Sequence, residues 1–401
     1  MKYDIVKLYF RTIYFAVLTI ILLAGCTVTK DRGLYSISQI SYPHFTDDMG
    51  YDGLEHSIRQ SIDYLQKFPP EKIFAFDQDQ YSASHMIRSL QNFLDFVHTN
   101  PSDKNLKQFI KSNFKVYKSV GKGWRKEVLF TGYYEPSLQG SLEKTEEYRY
   151  PILARPEDLL SIDLSAFSKK YAGEKIVGRY TQQTIIPYYD RREIEQEGVL
   201  EGKTDVLAWV KNPVDLFFLQ IQGSGRVFLN SGQSLNVHYH ETNGQPYRSI
   251  GKLLIEDEKI PQSEMSMQKI REYLQDHPEE VNDILNYNPS YVFFKTEEDG
   301  PLGYLEVKLT PGRSIAVDRR LFPLPALAFI KTQKPIIDGS GQITNWVDFS
   351  RFVVSQDTGG AIRGAGRSDL FWGNGMYAEI AAGHMQHKGN LYFLVLKPDA
   401  L

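Results

Sequence analysis

One cysteine, Cys26, stands in this 401-residue chain, and it limits the fold at once. No intramolecular disulfide can form, so any body that follows must be held by its own apolar core. The position of Cys26 adds a second limit. Lys2, Lys7 and Arg11 precede an apolar run over 13–22, and Leu23-Ala24-Gly25-Cys26 follows. A basic head, a short apolar stretch and small residues before a cut describe a secretory signal peptide over residues 1–25. The run falls short of the roughly 20 residues that a membrane span needs. A plain uncleaved anchor helix is the other reading of the same residues.

The Leu-Ala-Gly-Cys ending resembles the bacterial lipobox. That resemblance implies acylation of Cys26, which would tether the protein without a spanning helix. Thr27, not an aspartate, comes next; this resembles the sorting signal of outer-membrane lipoproteins in Gram-negative bacteria. The implied location is the inner leaflet of the outer membrane, facing the periplasm. Segment 1–25 carries a net +2, so the whole-chain net of −3 becomes −5 for the remainder. That balance is a poor match to nucleic acid or to an anionic membrane face, both of which favour basic patches.

The length remaining suggests two domains, with three as the alternative. Residues 26–50 lack a sustained period and read as a tether. Three helical patterns follow. Leu54, Ile58, Ile62 and Leu65 recur at helical spacing and stop at Pro69-Pro70. Ser82 reads as an N-cap for the face Ile87, Leu90, Leu94 and Val97, and Ser102 or Asp103 opens a third helix. From Val128 the texture changes to short β-branched and aromatic runs broken by Gly and Pro: 128–134, 216–222, 291–294 and 391–396. A more polar stretch with helical content runs from about 247 to 288. The fold class is α+β, mainly β: barrels or sandwiches with an N-terminal helical layer.

Chemistry concentrates near the C-terminus. Asp318 follows Ser314-Ile315-Ala316-Val317, Asp357 opens Asp357-Thr358-Gly359-Gly360, and Asp369 precedes Leu370-Phe371-Trp372. Glycines allow close backbone approach, so three carboxylates on such connections can converge. Glycosidic cleavage needs a proton for the leaving oxygen, and a carboxylic acid in apolar surroundings supplies one. Phe371 and Trp372 offer those surroundings to Asp369. Aspartates that cap turns give the same local pattern. His238 and His240 fall on one face of a strand, where ordinary packing accounts for them; no HExxH or cysteine cluster points to a metal, and no cofactor is expected.

The stretches Phe130-Thr131-Gly132-Tyr133-Tyr134-Glu135-Pro136, Asn212-Pro213-Val214-Asp215, Gln220-Ile221-Gln222-Gly223-Ser224-Gly225, Asn243-Gly244-Gln245-Pro246-Tyr247 and Asn288-Pro289-Ser290-Tyr291 resemble the membrane-bound lytic murein transglycosylase A family. With the three-aspartate region they cover roughly residues 125–400 in the family's order. The resemblance implies a double-psi β-barrel built from 51–137 and 287–401 with its helical layer. It also implies a smaller β-barrel inserted over 138–286, and a groove between the two that holds a glycan strand. It gives Asp369 the acid/base role, with Asp357 and Asp318 as tuning and positioning residues. The glycan-binding candidates are Thr131, Tyr133, Tyr134, Gln220, Gln222 and Ser224. Gln220 and Gln222 would project from one face of a strand, and one of the adjacent tyrosines would be buried. The implied substrate is peptidoglycan, cut between N-acetylmuramic acid and N-acetylglucosamine with a 1,6-anhydro end. The implied setting leaves room for complexes of cell-wall synthesis or hydrolysis.

Other readings compete. A lone Asp357-Thr358-Gly359 spells an aspartic-protease triplet, but such enzymes need two aspartates sharing a proton. A hydrolase could use Asp357 and Asp369 as an acid/base pair. A non-catalytic wall binder could use the same barrel to grip glycan.

Overall fold

Helix-capping chemistry set out in the sequence is present in the computed structural model, which describes residues 32–171 and 174–400. Helix Ala83–Val97 begins where Ser82 Oγ accepts from the His85 amide, and helix Asp103–Asn113 begins where Ser102 Oγ accepts from the Asn105 amide. With Leu54–Leu65 they bury Leu54, Ile58, Leu90, Phe93, Leu106 and Ile110 in one core with the larger sheet.

That sheet has eight strands in the spatial order Leu34–Ser36, Phe114–Ser119, His387–Leu396, Leu327–Ile337, Ile343–Asp357, Ser314–Ala316, Arg367–Asn374, Val128–Glu135. Pairing of His387 with Phe130 brings the last strand back onto the third and closes the barrel. Two of its pairings are parallel, Ser314–Ala316 with Ile343–Asp357 and Arg367–Asn374 with Val128–Glu135. Strands from both ends of the chain therefore meet in the double-psi barrel. The smaller barrel runs Val292–Glu297, Ser234–Thr242, Ser224–Leu229, Ser137–Ser141, Val206–Val210, Tyr150–Leu153, and a bridge from Ala154 to Phe294 closes it. It has its own core around Ile152, Val227, Val237 and Phe294.

Three expectations fail. The run 216–222 is not a strand but the end of helix Pro213–Gln222. Asn212 Oδ1 accepts from the Val214 amide, Pro213 sits in the first turn, and Gly223 ends the helix at φ 80°. Leu216, Phe217, Phe218 and Leu219 are all buried. A helix apolar on every side shows no period, so it reads like a buried strand. Residues 33–50 are not tether either. Leu34 and Phe45 are in the core, and Asp47 and Arg313 form a fully buried ion pair at 2.6 Å. Finally, His238 and His240 do not share a face. A bulge between Tyr239 and Glu241 breaks the alternation, so His238 is buried and His240 exposed. The signal peptide 1–25 and Cys26 lie outside the described residues.

Candidate active site

Asp369 owes its position to three strands. It pairs with Thr131 in parallel register on one side and with Ala316 in antiparallel register on the other. Ala316 in turn pairs with Asp357. The two aspartates thus flank one small residue, their backbones about 10 Å apart across two strand spacings.

The Thr131 hydroxyl donates to Asp369 Oδ1, and Arg367 Nε donates to the same oxygen at 3.2 Å. No described side chain hydrogen-bonds Oδ2. The Asp369 side chain keeps 16% of its surface exposed, so that second oxygen is open to a ligand. Period-two alternation puts Thr131 and Tyr133 on Asp369's side of the sheet, with Phe371, whose ring lies 5.2 Å from that of Tyr133. Trp372 points the other way, toward Phe349 and Tyr377. Of the two aromatics expected around Asp369, only Phe371 is there. Behind the strand, a Cβ on Gly132 would lie 2.6 Å from Trp372 Cδ1 and 2.8 Å from Ala382 Cα, so only glycine lets the helix Gly375–His384 pack so closely.

Asp357 is held differently. Its Oδ1 accepts from the backbone amides of Tyr304 and Thr358, each at 2.8 Å. Burial pushes its carboxyl up to about 6, and the charge of Asp369 adds to the rise against those hydrogen bonds. The Tyr133 hydroxyl faces Asp357 without a hydrogen bond of ordinary geometry. Burial first, then the two aspartates, keep that phenol protonated well above its usual range.

Asp318 is locked. Its buried carboxylate takes Arg320 at 2.9 and 2.6 Å and the Gly364 amide at 2.8 Å. Burial alone would raise its pKa, but Arg320 and the two backbone amides outweigh it and pull it down to about 2. It anchors the loop before the Asp369 strand and has no free oxygen for chemistry.

Of the glycan-binding candidates, Thr131, Tyr133 and Gln222 are half-buried around the aspartates' strand; Gln222 Oε1 accepts from the Tyr134 amide at 3.0 Å. Tyr134, Gln220 and Ser224 are buried and belong to packing. Gln220 faces Glu195 and Tyr291 in the smaller domain, without a hydrogen bond of ordinary geometry. Gln220 and Gln222 lie about 200° apart around a helix, not on one strand face. Two residues were missed. Arg367 precedes Asp369 by two places, the spacing that shares a strand face. Tyr247, inside the Asn243–Tyr247 motif, lies close enough to feel the charges of Arg367 and Asp369. Among the described residues no group of His, Cys, Asp or Glu is placed to hold a metal ion.

Two family descriptions match in chain order: the MltA specific insert domain over residues 129–295 and the 3D domain over 313–395. The chain is 31% identical over 322 residues to the membrane-bound lytic murein transglycosylase A of Escherichia coli (strain K12), covering 80% of this chain and 78% of that one. It is 27% identical over 382 residues to the same enzyme of Vibrio cholerae serotype O1, covering 94% and 92%. The crystal structure of the membrane-bound lytic murein transglycosylase from Agrobacterium tumefaciens superposes with a TM-score of 0.72 at 28% identity, over 92% of this chain and 99% of that chain. Escherichia coli MltA with bound chitohexaose has the same fold, TM-score 0.69 at 24% identity over 93% and 98%. Shared sequence over four-fifths of the chain, a shared fold and both domain signatures agree: the chain belongs to the membrane-bound lytic murein transglycosylase A family.

Proposed function

We propose that this peptidoglycan lytic transglycosylase cuts between N-acetylmuramic acid and N-acetylglucosamine with Asp369 as its single acid/base. The observation that carries this reading is the pair of contacts on Asp369 Oδ1, from Thr131 and Arg367, which leave Oδ2 open. Asp318 is saturated, and Asp357 has its Oδ1 tied to two amides. Protonated Asp369 would donate to the bridging oxygen as the bond to the muramyl anomeric carbon breaks. The carboxylate then takes the proton from that sugar's own C6 hydroxyl, which closes the 1,6-anhydro ring. The nucleophile is already part of the substrate, so no second carboxylate has to activate water. The nearby carboxyl of Asp357 and the Thr131 dipole favour the positive charge that develops. The inserted barrel supplies the other wall of the glycan groove, and Thr131, Tyr133 and Gln222 line the sugar-binding side. The relative solved with bound chitohexaose is consistent with an extended amino-sugar strand in such a groove.

One observation favours a second reading: the carboxyl pushed up to about 6 is that of Asp357, whose Oδ2 is not tied to an amide as its Oδ1 is. A hydrolase that used Asp357 as acid and Asp369 as base would release a reducing end. Digestion of purified sacculi and mass spectrometry of the muropeptides decide between them. Anhydro ends, one water lighter, are expected, and they should vanish with Asp369→Asn while glycan affinity persists. Reducing ends would sink the transglycosylase chemistry.

Acylation of Cys26 is part of the same proposal, and it places the enzyme on the inner leaflet of the outer membrane, within reach of wall-building or wall-cutting partners. Among the described residues no helix is long and apolar enough to cross a membrane.

A further inference from the structure

The chain's net negative charge conceals one strongly basic surface. Between the strands Phe114–Ser119 and Val128–Glu135 lies a tight loop, residues 120–127. Lys122 N donates to the Glu127 carbonyl at 2.8 Å and closes it, and Gly121 and Gly123 turn it at φ 59° and 69°. Its tip presents Lys122, Trp124, Arg125 and Lys126, all exposed. Trp124 is 86% exposed, with the Arg125 guanidinium 4.8 Å from its ring. Lys118 and Lys388 flank the loop; Glu127, 4.0 Å from Lys388, is the acid among them. A large apolar ring held in water amid like charges is unfavourable for a surface meant to face only solvent.

This loop also stands where the chain enters the folded body. Leu34–Ser36 pairs with Phe114–Ser119, Val120 N donates to the Gly33 carbonyl at 3.0 Å, and Lys126 Nζ lies 4.1 Å from the Tyr35 ring centroid. Seven residue steps separate Gly33 from Cys26, and they can span at most about 25 Å.

We propose that loop 120–127 is a second membrane contact, which docks on the headgroups of an anionic phospholipid surface. The proposal rests on acylation of Cys26 for the nearness of that surface. Tryptophan settles at the headgroup level of a bilayer, and clustered Lys and Arg are drawn to anionic lipid. Acyl chain plus basic patch is the two-signal arrangement that makes peripheral anchoring stable. A neutral glycan would recognise the ring but not the five surrounding cations, so lipid fits the whole surface better. Docked through this loop, the anchored enzyme would hold one orientation toward the wall.

The test places the full lipidated chain on phosphatidylcholine vesicles with and without phosphatidylglycerol, their acyl chains brominated to quench tryptophan. The chain has four tryptophans, so Trp124→Phe assigns the signal. Quenching should appear with phosphatidylglycerol, reverse with salt, and fall severalfold in Trp124→Phe and in the triple variant Lys122→Ser, Arg125→Ser, Lys126→Ser. Mass spectrometry of the N-terminal peptide reports acylation separately, so loss of the anchor is not mistaken for loss of docking. Unacylated protein that still shows phosphatidylglycerol-dependent quenching supports the loop's role. Quenching that ignores phosphatidylglycerol, or that survives Trp124→Phe unchanged, overturns it. So does a triple variant that keeps vesicle quenching but loses binding to sacculi, which would assign the loop to an acidic wall peptide.

Discussion

Thr131 lies directly opposite Asp369 in parallel register, and its hydroxyl donates to Asp369 Oδ1. That bond fixes which carboxyl oxygen faces outward. Thr131→Val keeps the shape and the β-branch but removes the donor. Hydrogen bonds to charged groups contribute about 1.5–3 kcal/mol, so kcat on purified glycan strands should fall by roughly tenfold to a hundredfold. Urea stability should fall by no more than that same amount, about 1.5–3 kcal/mol, so the variant stays folded under assay. Unchanged turnover would show that Arg367 alone suffices to orient Asp369.

Asp357 makes folding pH-dependent in a direction opposite to most carboxylates. Its folded pKa, about 6, stands above the ordinary Asp value. The stability it contributes is therefore fully present below pH about 4 and is lost as pH rises through 6. Two units correspond to roughly 2–3 kcal/mol. Asp357→Asn cannot ionise, so its stability relative to the parent should rise across that window and level off above it. Urea unfolding of both proteins between pH 4 and 8 measures the difference; parallel curves would mean that Asp357 has an ordinary pKa.

Much of this was legible in the sequence, and the failures have common causes. The helix starts at Ser82 and Ser102 and the strands at 128 and 391 announce themselves by local chemistry, a capping hydroxyl or a short β-branched and aromatic run. The glycine-rich connections pointed to convergence of the aspartates, but their meeting at Ala316 depends on one parallel and one antiparallel pairing between segments distant in the chain, which no local pattern shows. Helix Pro213–Gln222 was misread because burial on all sides erases the helical period, although Asn212, Pro213 and Gly223 carried the right signals. Residues 33–50 passed for tether because their strand is only three residues long and their other ties are ion pairs to remote partners, with no repeat to detect.

The ion pair of Asp47 with Arg313 offers a direct check on that last point. Both side chains are buried, and Arg313 also donates to the carbonyls of Asp52 and Phe352, each at 2.7 Å. Asp47→Ala leaves a buried guanidinium without its counter-charge, which costs about 3–5 kcal/mol. A urea midpoint like the parent's would return residues 33–50 to the status of a tether.

Gly132 separates Thr131 from Tyr133 and leaves no room behind it. Gly132→Ala would push a methyl into Trp372 and the backbone of Ala382. Overpacking of this kind costs about 1–3 kcal/mol, and the strain can be relieved only by moving the strand or the helix. Moving the strand displaces Thr131 from Asp369. Activity should fall along with stability, whereas Trp372→Leu together with Gly132→Ala should recover part of both. Full activity in the single variant would mean that the helix, not the strand, gives way.

Asp318 holds the start of the Asp369 strand from a distance. Its carboxylate accepts from the Gly364 amide, three residues before Arg367, and from Arg320, whose side chain is 61% exposed. Because its folded pKa is depressed to about 2, its contribution is present above the ordinary Asp value and is lost as pH falls through 2. Asp318→Ala removes a buried acceptor from four N–H donors, the Arg320 guanidinium twice and the amides of Arg320 and Gly364, and should cost about 1–3 kcal/mol at neutral pH. Arg320→Ala should cost less, because the Gly364 amide keeps its partner and the lost guanidinium was mostly in water. If the role is positional, Asp318→Asn, which can still accept from Gly364, should restore more turnover than stability, since it keeps the strand's register without the ion pair. Equal recovery of both in Asp318→Asn would reduce Asp318 to an ordinary structural tie.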